Sequence, residues 1–277
     1  MEKVKMKIPD FKKFREEGKK YTFVTAYDYT TASIVNESDT EIILVGDSAA
    51  MVMLGRSTTV GITLDEMIGF IKPVVLGAPD TMVIGDMPFG SYNINAEQAI
   101  SSANRILMET GCDCVKLEGG ETVAPTIRRI VDAGISVVGH IGLTPQTATS
   151  VGGFKVQGGT PEGAAQLIRD AKALEEAGVV AIVLECMPSM VSKAVGEAVS
   201  VPLLGIGAGP YVDCQVLVTQ DLLGMYNGFK PKFVKHFAGI RQEMVAGLNR
   251  FHEETLNGAF PSPEYSFNKS VEIPKLY

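Results

Sequence analysis

The feature that most constrains this chain is an eightfold recurrence. A short apolar run, a polar or glycine-rich turn and a segment of helical periodicity follow one another repeatedly from Tyr21 to Val218. The runs expected to be strands are Tyr21–Thr25, Glu41–Gly46, Met82–Asp86, Cys114–Glu118, Ser136–His140, Ala181–Glu185, Leu203–Ile206 and Val216–Val218. Most are continuous in Val, Ile and Leu, as strands covered on both faces are. Strands that alternate with helices pair in parallel, which leaves two architectures: a closed (β/α)8 barrel or an open doubly wound sheet. Eight strands, with no early glycine-rich nucleotide turn, favour the TIM-type barrel.

The intervening segments carry helix punctuation. Thr63 with Glu66 reads as a capping box, and Asn95 with Gln98 imitates one. Thr160 followed by Pro161 is an N-cap with proline at the first helical position, and the stripe Leu167, Ile168, Ala171, Leu174 continues to Ala177. Gly111, Gly134 and Gly178 each stand where a helix ends in a left-handed residue. With 277 residues and no linker, residues 1–277 are expected to form a single barrel domain. It would carry an N-terminal helical segment, a late helix over roughly Lys232–Asn257 and an extended tail from Phe260 to Tyr277.

Composition excludes several function classes. A net charge of −7 argues against a nucleic-acid binder, whose affinity rests on neutralising phosphates. No apolar run approaches the ~20 residues of a membrane span. Four cysteines without zinc spacing are too few for a disulfide scaffold; Cys112 and Cys114 are expected within one strand, as small buried thiols of a reducing cytoplasm. The N-terminal stretch mixes lysines with acids and lacks an apolar core, so neither a secretory signal nor a transit peptide is expected.

The polar residues fall at the C-terminal ends of these strands: Asp47 after the second, Asp86 ending the third, Lys116 and Glu118 on one face of the fourth, His140 on the fifth and Glu185 on the sixth. In a (β/α)8 barrel those ends meet at one mouth, where active sites lie. Charges in otherwise apolar strands are costly to bury unless paired, metal-bound or wet. Asp47 and Asp86 are hard oxygen ligands suited to Mg2+ or a similar divalent ion, with Glu118 as third ligand or as an acceptor for metal-bound water. Lys116 is a fixed positive charge for an anionic substrate, Ser48 a hydroxyl or N–H donor to it, and Glu185 a general base. The set describes proton abstraction beside a carbonyl. His140 reads equally as a shaping residue or a catalyst. The run Gly205–Gly209 reads as a strand end that lets a ligand approach the backbone, and Met51 and Met53 as core or interface filler.

The same stretches resemble the ketopantoate hydroxymethyltransferase family: Thr25-Ala-Tyr-Asp-Tyr29, Leu44-Val-Gly-Asp-Ser48, Asp86-Met-Pro-Phe89, Val115-Lys-Leu-Glu-Gly-Gly120, Gly139-His-Ile-Gly-Leu-Thr-Pro-Gln146, Gly152-Gly-Phe-Lys-Val-Gln-Gly158, Val183-Leu-Glu-Cys-Met-Pro188 and Gly205-Ile-Gly-Ala-Gly209. They occur in family order over roughly residues 10–267. The resemblance implies a barrel of the phosphoenolpyruvate/pyruvate type and a cytoplasmic homo-oligomer, usually a decamer. It also implies hydroxymethyl transfer from methylenetetrahydrofolate to 3-methyl-2-oxobutanoate, giving 2-dehydropantoate in pantothenate biosynthesis. By the same resemblance Asp47, Asp86 and Glu118 bind the metal, Asp47, Ser48, Asp86 and Lys116 bind the keto acid, and Glu185 accepts the proton. Where the family usually has Leu-Gly after the Asp-Ser pair, this chain has Ala49-Ala50. The alternative is a Mg2+-dependent lyase or mutase of the phosphoenolpyruvate/isocitrate-lyase kind acting on a small 2-oxo acid; a non-catalytic barrel fits the intact polar set poorly.

Overall fold

A computed structural model describes residues 3–272 and Pro274. The strands are β1 (Tyr21–Thr25), β2 (Ile42–Val45), β3 (Met82–Asp86), β4 (Cys114–Glu118), β5 (Val137–Gly142), β6 (Ala181–Glu185), β7 (Leu203–Ile206) and β8 (Cys214–Leu217). All neighbours pair in parallel, and β1 pairs β8, which closes the barrel. The helices are α1 (Ile8–Glu16), α2 (Tyr29–Glu37), α3 (Ala49–Val52), α4 (Leu64–Gly77), α5 (Ala96–Thr110), α6 (Ala124–Asp132), α7 (Pro161–Ala177), α8 (Ser189–Ala198), α9 (Thr219–Leu222) and α10 (Ile240–Leu256).

Local chemistry explains the helix ends. Thr63 Oγ1 accepts from the Glu66 N–H while Glu66 Oε2 accepts from the Thr63 N–H, closing the capping box of α4. Asn95 and Thr160 cap α5 and α7 in the same sense. Gly178 ends α7 at φ 93°, a left-handed value that an L side chain rarely adopts.

Strand parity then sorts the side chains. On β2, Ile42 joins the barrel interior and Ile43 the layer beneath the helices; on β3, Met82 and Ile84 point in and Val83 points out. The outward set packs against Ile71, Ile106, Ile127 and Leu174 of the helices. The inward set meets Met6 and the α1 residue Phe11. Arg15 of α1 ties this plug down through Asp213 at 2.7 Å and the carbonyls of Gly196 and Val199.

Two compact units emerge, one within Met1–Thr219 and Lys230–Val234 that contains the barrel, the other within Gln220–Phe229 and Lys235–Tyr277 that contains α10. The late helix begins at Ile240, eight residues after the expected start. In between, Val234 is buried and its N–H closes a turn onto Pro231, so this stretch is a largely exposed loop anchored at Val234. The tail is not extended from its start. Phe260 meets Phe251 edge-on and Tyr265 at a tilt, and Pro263–Tyr265 form a 3-10 turn. The rest of the tail up to Glu272 is exposed, and residue 273 and residues 275–277 lie outside the described residues. Cys112 precedes β4 instead of lying within it, and all four thiols are free. Among the described residues no helix is long and apolar enough to cross a membrane.

Candidate active site

Parity also delivers the polar residues. On β3 the inward sequence Met82, Ile84 continues to Asp86; on β4, Cys114 continues to Lys116 and Glu118; on β5, Val138 to His140; on β6, Ala181 and Val183 to Glu185. Register puts Asp86 beside Lys116, Glu118 beside His140, and Gly142 beside Glu185. Asp47, in the turn after β2, donates its backbone N–H to Asp86 Oδ2 at 3.0 Å. Its neighbour Ser48 shares a 2.7 Å hydrogen bond with the buried Tyr27 hydroxyl.

Lys116 is the hub. Its Nζ lies 3.0 Å from Asp86 Oδ1, 3.7 Å from Glu118 Oε1 and 3.2 Å from His140 Nδ1. His140 extends the chain: Nδ1 is 3.5 Å from Glu118 Oε1 and Nε2 is 3.2 Å from Glu185 Oε2. Lys116 and Asp86 are almost wholly sealed from solvent, whereas the Glu185 side chain keeps 15% of its exposure. The expected residues are therefore brought together around one mouth. Lys155 is exposed, as is Met53.

The electrostatics are those of a site short of positive charge. Burial, with Asp86 and Glu118 adding like charge, pushes the Asp47 carboxyl up to about 8 against the pull of Lys116. Burial raises Asp86 too, although Lys116 opposes it. Burial works against the Glu118 carboxylate, but Lys116, His140 and the Gln146 N–H outweigh it and hold Glu118 below the usual range. Burial and Lys116 both disfavour a charged His140, yet the neighbouring Glu118 and Glu185 carboxylates lift it to about 9.

These features bear on a metal. Among the described residues, Asp47 Oδ2 is buried without a hydrogen-bond partner, and Asp86 Oδ1 lies 3.0 Å from the Lys116 ammonium. Two hard oxygens of excess negative charge fit a divalent cation that takes the rest of its coordination from water and substrate, the habit of Mg2+. Among the described residues no group of three or more His, Cys, Asp or Glu side chains is disposed to hold an ion. Glu118 is turned instead to Lys116, His140 and the Gln146 N–H, which donates to Oε2 at 3.1 Å.

Three neutral residues of the site carry no charge signal in the sequence. Tyr27 holds Ser48. Gln146 grips Glu118 through its backbone and the Met87 carbonyl through Nε2, and Tyr92 donates to Gln146 Oε1 at 2.6 Å. Tyr27 and Gln146 stand in the quoted stretches, whereas Tyr92 sits in an aperiodic loop that nothing marks. Packing also requires the glycines that follow β7: a Cβ on Gly207, at φ +64°, would lie 2.7 Å from the Phe233 ring, and one on Gly209 would strike Ser189. Cys186, next to Glu185, is the one non-glycine residue with positive φ among the described residues, at 47°; such strain gathers at functional sites.

Comparison with known proteins agrees with this geometry. A family model described as ketopantoate hydroxymethyltransferase matches residues 5–263. A 3-methyl-2-oxobutanoate hydroxymethyltransferase of Heliobacterium modesticaldum is 54% identical over 273 residues, covering 99% of each chain. Another, of Moorella thermoacetica, is 47% identical over 260 residues, covering 94% of this chain and 97% of that one. Among solved structures, phosphonopyruvate hydrolase in complex with oxalate and Mg2+ superposes with a TM-score of 0.62 at 12% identity, covering 94% of this chain and 93% of that one. The corresponding values for 2,3-dimethylmalate lyase, of the PEP mutase/isocitrate lyase superfamily, are 0.58, 14%, 93% and 92%. At such identities these two speak for the fold alone.

Proposed function

The chain belongs to the ketopantoate hydroxymethyltransferase family, and from that premise we propose that it transfers a hydroxymethyl group from methylenetetrahydrofolate to 3-methyl-2-oxobutanoate, with Glu185 as the base. The product is 2-dehydropantoate, on the way to pantothenate. The observation that carries the reading is the placement of Glu185: a partly open carboxylate on β6, joined through His140 to a sealed pocket of Asp47, Asp86 and Lys116.

In this reading Asp47 and Asp86 hold Mg2+ or a similar ion, with Glu118 behind them through water. When bound, the cation supplies positive charge at the keto oxygen and so acidifies the hydrogen on the adjacent carbon. Lys116 and Ser48 hold the substrate carboxylate and keto group by charge and hydrogen bonding. Water breaks the two C–N bonds of methylenetetrahydrofolate and frees its one-carbon unit at the oxidation level of formaldehyde. Glu185 removes the C3 hydrogen, the resulting carbon nucleophile adds to that carbonyl carbon, and the alkoxide formed takes up a proton to become the hydroxyl. Tetrahydrofolate leaves. A positioned base is typically worth ~10²–10⁴-fold.

The assembly proposed is a cytoplasmic homo-oligomer, a decamer in keeping with the resemblance. Its support is α10, which buries none of its own residues and leaves Met244, Leu248 and Phe251 exposed. The lyase or mutase alternative rests on likeness at 12–14% identity, which carries only the fold.

The test is hydrogen exchange at C3 of 3-methyl-2-oxobutanoate in D2O with Mg2+ and no folate, followed by NMR. We expect metal-dependent exchange that falls by ~10²–10⁴-fold in Glu185→Gln, and formation of 2-dehydropantoate once methylenetetrahydrofolate is added. Wild-type protein that exchanges nothing under any condition would sink the proposal.

A further inference from the structure

We infer that Phe154 and Lys155 form the seat of the one-carbon donor: the Phe154 ring stacks on the pterin of methylenetetrahydrofolate, and the Lys155 ammonium takes the carboxylates of its tail. The inference rests on the function proposed above and names residues for the half of the site that this reading leaves without any.

The co-substrate has to dock beside Glu185, because its one-carbon unit is used at the carbon that Glu185 deprotonates. Residues 152–158 join the 3-10 segment Pro145–Val151, which follows β5, to the start of α7. Both ends of this link are tied into the site. The Gly153 N–H donates at 2.8 Å to the carbonyl of Ala148, two residues beyond the Gln146 that holds Glu118. The Gln157 N–H donates at 2.8 Å to the carbonyl of Cys186, the residue after Glu185. Phe154 is three residues from Gln157, so chain reach alone keeps its Cα within about 11 Å of that anchor.

Between the anchors the side chains turn outward. Phe154 is 57% exposed and Val156 65%, with Lys155 exposed between them. The shape of the link is set by its corners: Gly152, Gly153 and Gly158 have φ of 78°, 101° and 75°, and Gln157 Nε2 donates to the Lys155 carbonyl at 3.0 Å. A Cβ on Gly158 would lie 2.6 Å from Leu167, so the exit corner is packed against α7. A fixed link thus holds an aromatic ring in water at the edge of the pocket, where a flat ligand would bury it.

The charge pattern matches the rest of the donor. A reduced folate carries a flat pterin, an aminobenzoyl ring and a glutamate tail. The pocket already gathers four carboxyl groups, Asp47, Asp86, Glu118 and Glu185, around Lys116 and His140. Further carboxylates are repelled there. The tail therefore points out of the pocket, and Lys155, next to the ring that takes the pterin, offers it an ammonium.

The two halves of the reaction make the test. C3 exchange in D2O needs keto acid and Mg2+ but no folate, whereas 2-dehydropantoate forms only with the donor present. We expect Phe154→Ala to exchange at the wild-type rate and to raise KM for methylenetetrahydrofolate by about 10-fold or more, the scale of one lost aromatic stack. Phe154→Trp should restore the wild-type KM. Lys155→Met should raise that KM by about 2–5-fold, and should leave unchanged the KM for methylenetetrahydropteroate, which lacks the glutamate. An unmoved KM in Phe154→Ala overturns the assignment. So does a fall in C3 exchange equal to the fall in transfer, which would mark the link as a support of the keto-acid pocket. A smaller assembly of Phe154→Ala in sedimentation also overturns it, by giving the ring to a contact between copies. Absence of C3 exchange in the wild type counts against Glu185 as the base, whereas an unmoved KM counts against Phe154 alone, so the two failures are distinguishable.

Discussion

At the closed end of the barrel, Tyr21, Ile42, Met82 and Cys114 point inward onto Met6 and Phe11. Four residues further along the same strands, the same parity carries Thr25, Asp86 and Glu118, with Lys116 between. One end is sealed by apolar burial, which stabilises in proportion to area and asks for no particular partner. The other end buries carboxylates, an ammonium and an imidazole, where each group depends on its neighbour. The comparison teaches that the fold draws stability from one end and keeps the other, electrostatically frustrated, for chemistry.

Three substitutions probe that division, in order of expected effect. Lys116→Met is the most damaging because it strikes both quantities. It leaves Asp86 and Glu118 buried and unpaired, so unfolding by denaturant should show a loss of ~3–5 kcal/mol, and C3 exchange should vanish. Undiminished stability would mean that the polar end is not held by this ammonium.

Phe11→Ala tests the opposite end. Phe11 is 1% exposed and meets Tyr21 edge-on with ring centroids 6.3 Å apart. We expect a comparable stability loss of ~3–5 kcal/mol, with the C3 exchange rate of the folded protein unchanged. A fall in exchange rate would show the two ends to be coupled.

Thr63→Ala is the mildest. It removes the hydroxyl that caps α4, at a cost of ~1 kcal/mol with no change in exchange. Hydrogen bonds from Arg56, then from the Thr63 N–H, hold the Glu66 carboxyl down to about 2 from 4.5. A depressed folded value means the contribution is complete above 4.5 and is lost as the pH falls toward 2. The Arg56 bonds and the residue-63 N–H bond survive in Thr63→Ala, so both proteins should lose stability in acid in parallel. The gap between them should narrow only by the small share of the Thr63 hydroxyl bond to Oε2, as melting curves across that range would reveal.

Much of this was legible in advance, and the misses have local causes. β1, β3, β4, β6 and β7 keep the bounds read from their apolar runs. β8 starts two residues before the expected Val216 because closure pairs Cys214 with Tyr21 and Gln215 with Thr22, and neither Cys nor Gln advertises a strand. β5 continues to Gly142, where a Cβ would strike the Glu185 carbonyl at 2.2 Å and φ is 97°. The segment before α10 looked helical by periodicity, yet Val234 was needed as a buried anchor in a turn.

By itself the sequence determined the eight strands, their helices and the strand ends at which the charges stand, because periodicity and capping are properties of a few consecutive residues. Only the closed barrel decided that His140 spans from Glu118 to Glu185, that Glu118 faces Lys116, and that the neutral Tyr92 and Gln146 join the site. Those contacts cross between strands. Their lengths follow from the register in which eight strands meet around a ring, and no window along the chain carries that quantity.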